Sequence, residues 1–172
     1  MSALFYELPK HLSPSRMHLI TSLDVTWTLV PTSELSFGTY ASLELSVPHC
    51  FPGLRALRLA VVHPEHLAMP RDHAYVSNLT IVPEAIVRRL SGKSRGMRHC
   101  EFVIYGPAYA VLERCRKEAK DERDEPPPPR PYPESFWRRV QLPDGTQSGF
   151  WIVNADAKGA NLTSERQEDQ KQ

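Results

Sequence analysis

The chain has 172 residues, enough for one domain with a real core, since a chain of this size buries roughly 70% of its unfolded surface. Apolar residues make up 41%, and Lys plus Arg (21) nearly balance Asp plus Glu (20). The formal net charge of +1 removes any global electrostatic argument for nucleic acid or membrane binding and leaves only local patches to consider.

Residues 1–10 lack the charged start and long apolar run of a signal peptide, and no apolar run approaches the ~20 residues of a membrane span. The three cysteines, Cys50, Cys100 and Cys115, are odd in number and include no C-x-x-C. That pattern argues against a secreted disulfide scaffold and for a reducing compartment, cytoplasmic or nuclear. The sequons at Asn78 and Asn161 are then read as coincidence.

In chain order, a short helix is expected over residues 13–18, with Ser13 as cap and Pro14 at the first position. A repeat follows. With Φ an apolar residue, the pattern Φ-x-x-Φ-x-Φ occurs at Ile20-Thr-Ser-Leu23-Asp-Val25, Leu54-Arg-Ala-Leu57-Arg-Leu59 and Met97-Arg-His-Cys100-Glu-Phe102. Each copy continues with alternating apolar positions and stops at a proline: Pro31, Pro64 and Pro107. Period-two alternation marks a strand with one buried face, and proline cannot continue its ladder. Aligning the copies gives inward rows Leu23/Leu57/Cys100, Val25/Leu59/Phe102 and Trp27/Val61/Ile104, and an outward row Asp24/Arg58/Glu101. The alternating charges favour lateral pairing in this register by about 0.2–1 kcal/mol per pair.

Helices are expected over 33–46, over 83–91 with Pro83 in the first turn, and over 107–121 with Ala108, Val111, Leu112, Cys115 and Ala119 as its apolar stripe. Strand and helix in alternation imply a parallel sheet in chain order. Residues 122–134, with four successive prolines from Pro126, read as a charged, proline-rich loop. Residues 135–156 read as a β-hairpin with a Pro143-Asp-Gly-Thr turn, packed on the same domain as the βα region at 1–121. Residues 157–172 have the composition of a disordered tail.

The segments Leu8-Pro…Leu12…Pro14…Arg16…Ile20-Thr-Ser-Leu23-Asp-Val25-Thr-Trp27, Phe51-Pro-Gly-Leu54-Arg-Ala-Leu57-Arg-Leu59, Phe136-Trp137-Arg138 and Gly149-Phe-Trp151-Ile152 resemble the C-terminal half of a large fungal family of uncharacterised F-box-like, leucine-rich-repeat-like proteins. The resemblance covers roughly residues 8–155. It implies an α/β fold of irregular leucine-rich-repeat-like βα units: three parallel strands, flanking helices and the C-terminal hairpin. It brings no activity. Family members carry an N-terminal F-box-like module that this sequence lacks, so the resemblance also implies, as an alternative, a portion of such a protein without independent function. The repeat steps, 34 residues from Ile20 to Leu54 and 43 from Leu54 to Met97, exceed the about 20–29 of ordinary leucine-rich repeats.

The expected role is a non-enzymatic protein-interaction module. Its candidate contacts are the outward residues Asp24, Thr26, Arg58, Glu101, Val103 and Tyr105, and its partner is a protein. The alternative is nucleic-acid or polyphosphate binding through the basic cluster Arg88, Arg89, Lys93, Arg95 and Arg98; a solvated helix end that complements the helix dipole is the plainer explanation, so nucleic acid is not the expected partner. Neither a G-x-S-x-G elbow, a P-loop nor G-x-G-x-x-G occurs, and no catalytic residue or cofactor is expected. His63-Pro-Glu-His66, with His49, Cys50 and His73, falls one residue short of the zincin spacings, so no metal is expected. Trp27, Trp137 and Trp151 are read as core and hairpin packing rather than as a ligand cage.

Overall fold

The computed structural model describes residues 10–28, 40–62, 73–91, 97–118, 129 and 131–156, with the side chains of 73–75 left aside. Among these residues, four helices and five strands follow in order: α1 (Pro14–Met17), β1 (Ser22–Thr28), α2 (Leu43–Cys50), β2 (Ala56–Val62), α3 (His73–Ser91), β3 (His99–Ile104), α4 (Gly106–Glu118), β4 (Ser135–Gln141) and β5 (Gln147–Asn154). The strands form one mixed sheet in the order β1-β2-β3-β5-β4. All neighbours run parallel except β4 and β5.

The register of the first three strands is the one their repeat dictates. Leu23, Leu57 and Cys100 lie in line, as do Val25/Leu59/Phe102, Trp27/Val61/Ile104 and Asp24/Arg58/Glu101. Backbone bonds set it at the start of each strand. Thr21 O accepts from the N–H of Arg55 and Ala56, and Arg55 O accepts from the N–H of Arg98 and His99.

All helices that contribute to the main core lie on one face of the sheet. There Val25, Leu59, Phe102 and Ile152 meet Leu43 and Val47 of α2, Leu79, Ile86 and Leu90 of α3, and Ala108 and Leu112 of α4. Each large aliphatic side chain taken from water contributes about 1.5–3 kcal/mol, which makes this layer the main source of stability. The opposite face carries a smaller cluster of Ala60, Val103, Trp151 and Val153, against which Tyr132, Trp137 and Ala155 pack.

Two helices depart from expectation. α2 runs to Cys50 with Pro48 inside it, later than 33–46; residues 33–39 lie outside those described. α3 begins ten residues before Pro83, which lies within it. A proline at 83 cannot donate to the carbonyl of Leu79, four residues back. The buried Tyr40 hydroxyl donates to that carbonyl instead, at 2.7 Å, and the helix continues through the proline. α1 starts where expected, with Ser13 at the N-cap position, although the Ser13 side chain makes no capping bond. α4 buries Tyr109 along with Ala108 and Leu112, whereas Val111 and Cys115 are only half-buried.

The hairpin turn also forms as the sequence suggests. Gly145 N donates to Leu142 O at 3.0 Å and Gly145 takes φ of 81°, a left-handed position that glycine accepts without strain. The hairpin is part of the sheet rather than an addition to it, because β5 inserts between β3 and β4. Most of the proline-rich loop and the whole 157–172 tail lie outside the described residues.

Candidate functional site

The outward row becomes a chain of charge across three strands. Arg58 Nη1 lies 3.5 Å from Asp24 Oδ2, and Arg58 Nε lies 3.5 Å from Glu101 Oε2. His99, which the sequence reading passed over, adds a fourth member: its Nε2 is 2.8 Å from Glu101 Oε1. With a carboxylate as acceptor, that ring nitrogen is the donor. His99 stands two residues before Glu101, so the same period-two alternation places it on this face. Exposure falls steeply along the row, from 60% for Asp24 and 48% for His99 to 23% for Arg58 and 7% for Glu101. The exposed Asp24–Arg58 contact is worth little by itself. The buried carboxylate of Glu101 needs both partners, the His99 hydrogen bond and the Arg58 ion pair, because a buried charge without partners is costly.

The expected contact residues therefore divide. Asp24 is exposed, while Thr26 and Arg58 are half-buried; these three lie together on β1 and β2. Glu101 is buried and Val103 is fully buried in the smaller cluster, so neither presents a contact surface. Tyr105 lies beyond the end of β3, where the alternation lapses, and packs against the helix-side core instead. The reachable part of this face is Asp24, Thr26, Arg58 and His99.

The basic cluster separates in a similar way. Arg88 Nη2 donates to Glu84 Oε1 at 2.6 Å, and Glu84 also receives Arg138 at 3.5 Å. Arg89 is exposed beside a depression of about 410 Å³ with Leu45, Pro48 and His49. Arg98 is exposed at the start of β3. Lys93 and Arg95 lie outside the described residues.

A cleft of about 320 Å³, unforeseen from the sequence, lies at the carboxyl end of β3 and β5. Tyr109, Glu113, Arg116, Glu134 and Phe136 are among its walls. Its cations and anions are already engaged. The Arg116 guanidinium sits 5.3 Å from the Phe136 ring centre, and Lys117 pairs with Glu113 at 3.2 Å. Glu134 accepts from the Asn154 side chain, and the Asp156 carboxylate accepts the Gly106 N–H at the start of α4, 3.2 Å away. No local sequence signal joins these residues, which come from three separate elements.

Trp27 sits against Tyr40 in the main core, with ring centres 6.4 Å apart. Trp137 and Trp151 meet edge-on at 5.2 Å on the other face. The three indoles therefore share no cage. Cys100 is fully buried, and burial together with the neighbouring Glu101 carboxylate pushes its thiol far above the ordinary range. Burial pushes Cys50 up as well. Among the described residues, no cluster of His, Cys, Asp or Glu is arranged to hold a metal, and no helix is long and apolar enough to cross a membrane. His63, Glu65 and His66 lie outside the described residues, and the His73 side chain is among those left aside.

Comparison with family models, with curated proteins and with solved structures finds no match to the chain.

Proposed function

We propose that the chain is a protein-interaction module that receives its partner on the exposed half of the sheet face opposite the helices. The observation that carries this reading is the graded charged row. A buried Glu101 holds Arg58 and His99 in fixed positions, and Arg58 in turn meets the exposed Asp24. Charges positioned in this way by a rigid scaffold set register and discriminate between partners more than they supply affinity. The shared register of β1, β2 and β3, with helices on one face, supports reading the three βα units as irregular leucine-rich-repeat-like repeats. The resemblance to the fungal F-box-like family points the same way, and ubiquitin-ligase components are the partners it would bring.

The test is capture from a filamentous-fungus lysate by wild type, by Asp24→Lys and by Glu118→Lys, each first checked for a native circular-dichroism spectrum. Asp24 and Glu118 are both exposed, so neither change opens the core. A specific partner held by wild type and by Glu118→Lys but lost by Asp24→Lys is the expected result. Equal retention by all three proteins would overturn the assignment of this face.

A further inference from the structure

The end of the molecule where the parallel strands begin collects cations that lie far apart in sequence. The residue leading into β2 is Arg55, and the one just before β3 is Arg98; their backbones are bonded, Arg98 N to Arg55 O at 2.8 Å. α1 ends against the loop before β2, so closely that a Cβ on Gly53 would collide with the His18 carbonyl oxygen. This contact seats the end of α1, which carries Arg16 and is followed by His18, against the loop that leads to Arg55. α2 and α3 finish at the same end with His49, Arg88 and Arg89 in their last turns.

Helix dipoles account for His49, Arg88 and Arg89, since cations are favoured at helix C-termini. They do not account for the others. Arg16 closes a single turn, and Arg55 and Arg98 precede strands. Arg16, Arg89 and Arg98 are exposed and Arg55 is half-buried, and among the described residues none of the four has an ion-pair partner. The chain is nearly neutral, so the cluster is a local feature and not an excess of charge; Glu113 and Glu134 line the cleft at the opposite end. Most of these cations are arginines, and the arginine fork matches phosphate oxygens in a bidentate manner. Unpaired strands are held by stacking on exposed aromatic rings, and among the described residues this end presents none. Backbone contact with a duplex needs no such platform.

We propose that this end is a sequence-independent interface for the phosphodiester backbone of double-stranded nucleic acid. The four unpaired arginines set the expected salt response. For about four phosphate contacts, the logarithm of the binding constant falls with the logarithm of salt at a slope near −3.6, so affinity drops about 150-fold between about 50 and 200 mM salt.

The experiment is fluorescence anisotropy with a labelled 20-base-pair DNA of arbitrary sequence, using the full chain, Arg16→Gln, Arg89→Gln, Arg98→Gln, and Glu134→Gln as a change at the opposite end, where Glu134 is exposed. Unchanged thermal transitions establish that each variant is folded. Each arginine change is expected to make the slope shallower by about one and to weaken low-salt binding severalfold, with Glu134→Gln no weaker than wild type and a second DNA sequence bound equally well. Absence of binding at about 100 μM protein in 50 mM salt would overturn the proposal, as would a slope that none of the arginine changes alters. Displacement of the DNA by polyglutamate at equal charge concentration would overturn it in favour of an acidic protein surface.

Discussion

Tyr40 and Pro83 show how one side chain changes what the local sequence can do. Proline inside a helix costs about 3 kcal/mol or more, partly because the carbonyl four residues back loses its donor. Tyr40 is buried and supplies that donor to Leu79 O. Tyr40→Phe is therefore expected to cost about 1–3 kcal/mol, as for any buried carbonyl left unbonded. In a Pro83→Ala background the restored N–H competes for the same carbonyl, and the cost of Tyr40→Phe should fall well below its wild-type value. Urea denaturation of the four proteins in this cycle measures the coupling; equal costs in both backgrounds would show that the hydroxyl does not replace the helix bond. The thiols give a second check at this scale. Cys115 is half-exposed, while Cys50 and Cys100 are held in the protonated form by burial. Near pH 8 a disulfide reagent should react with Cys115 first, Cys50 more slowly, and Cys100 only after unfolding, because the thiolate is the reactive species.

Among the elements, the strands were legible and the helix limits were not. Each repeat pairs a fixed apolar alternation with a proline stop, so alignment of the copies specified both strand register and the Asp24/Arg58/Glu101 row. Local rules also identify the turn at Asp144-Gly145, and they carry a pH prediction. Thr146 N–H and Oγ1–H both donate to Asp144 Oδ1, at 2.9 and 2.6 Å, and hold its carboxyl below the ordinary value. A lowered value means that the ionised form is favoured on folding. Its contribution is thus present above the unfolded value of about 3.9 and is lost as pH falls through the folded one. The stability difference between wild type and Asp144→Asn should therefore be larger near pH 6 than near pH 2; a difference independent of pH would contradict the carboxylate's role. The start of α3 was not legible because Pro83 fits a first turn by every local criterion, and only a tyrosine distant in sequence allows the helix to extend back to His73. The position of β5 between β3 and β4 was also hidden, since period two fixes a face and not a neighbour. Gly149 belongs to that arrangement: the Trp137 ring lies 2.6 Å from where its Cβ would be, and the Arg138 carbonyl is closer still. Gly149→Ala must displace the indole, and it should lower the thermal midpoint and weaken the near-UV signal of the Trp137–Trp151 pair.

For the molecule as a whole, burial decides which sequence-level candidates can act. The outward rows hold the candidate contacts, yet Val103 and Glu101 are covered, and the accessible remainder is a strip on β1 and β2 with His99 beside it. Composition was silent on the basic end for a related reason. A net charge of +1 says nothing about where charges lie, and Arg16, Arg55 and Arg98 come to one end only through strand pairing and the seat of α1 against the β2 loop. The molecule thus has a helix layer that supplies stability, a charged strip on the opposite face, and cations gathered where the strands begin. The central claim is that the strip receives a protein partner. Hydrogen–deuterium exchange of the chain with and without the captured partner tests it most directly. The account predicts slowed exchange confined to residues 22–28 and 56–62 and to the neighbourhood of His99. Protection of the outer surfaces of α2, α3 and α4, with β1 and β2 unchanged, would contradict it.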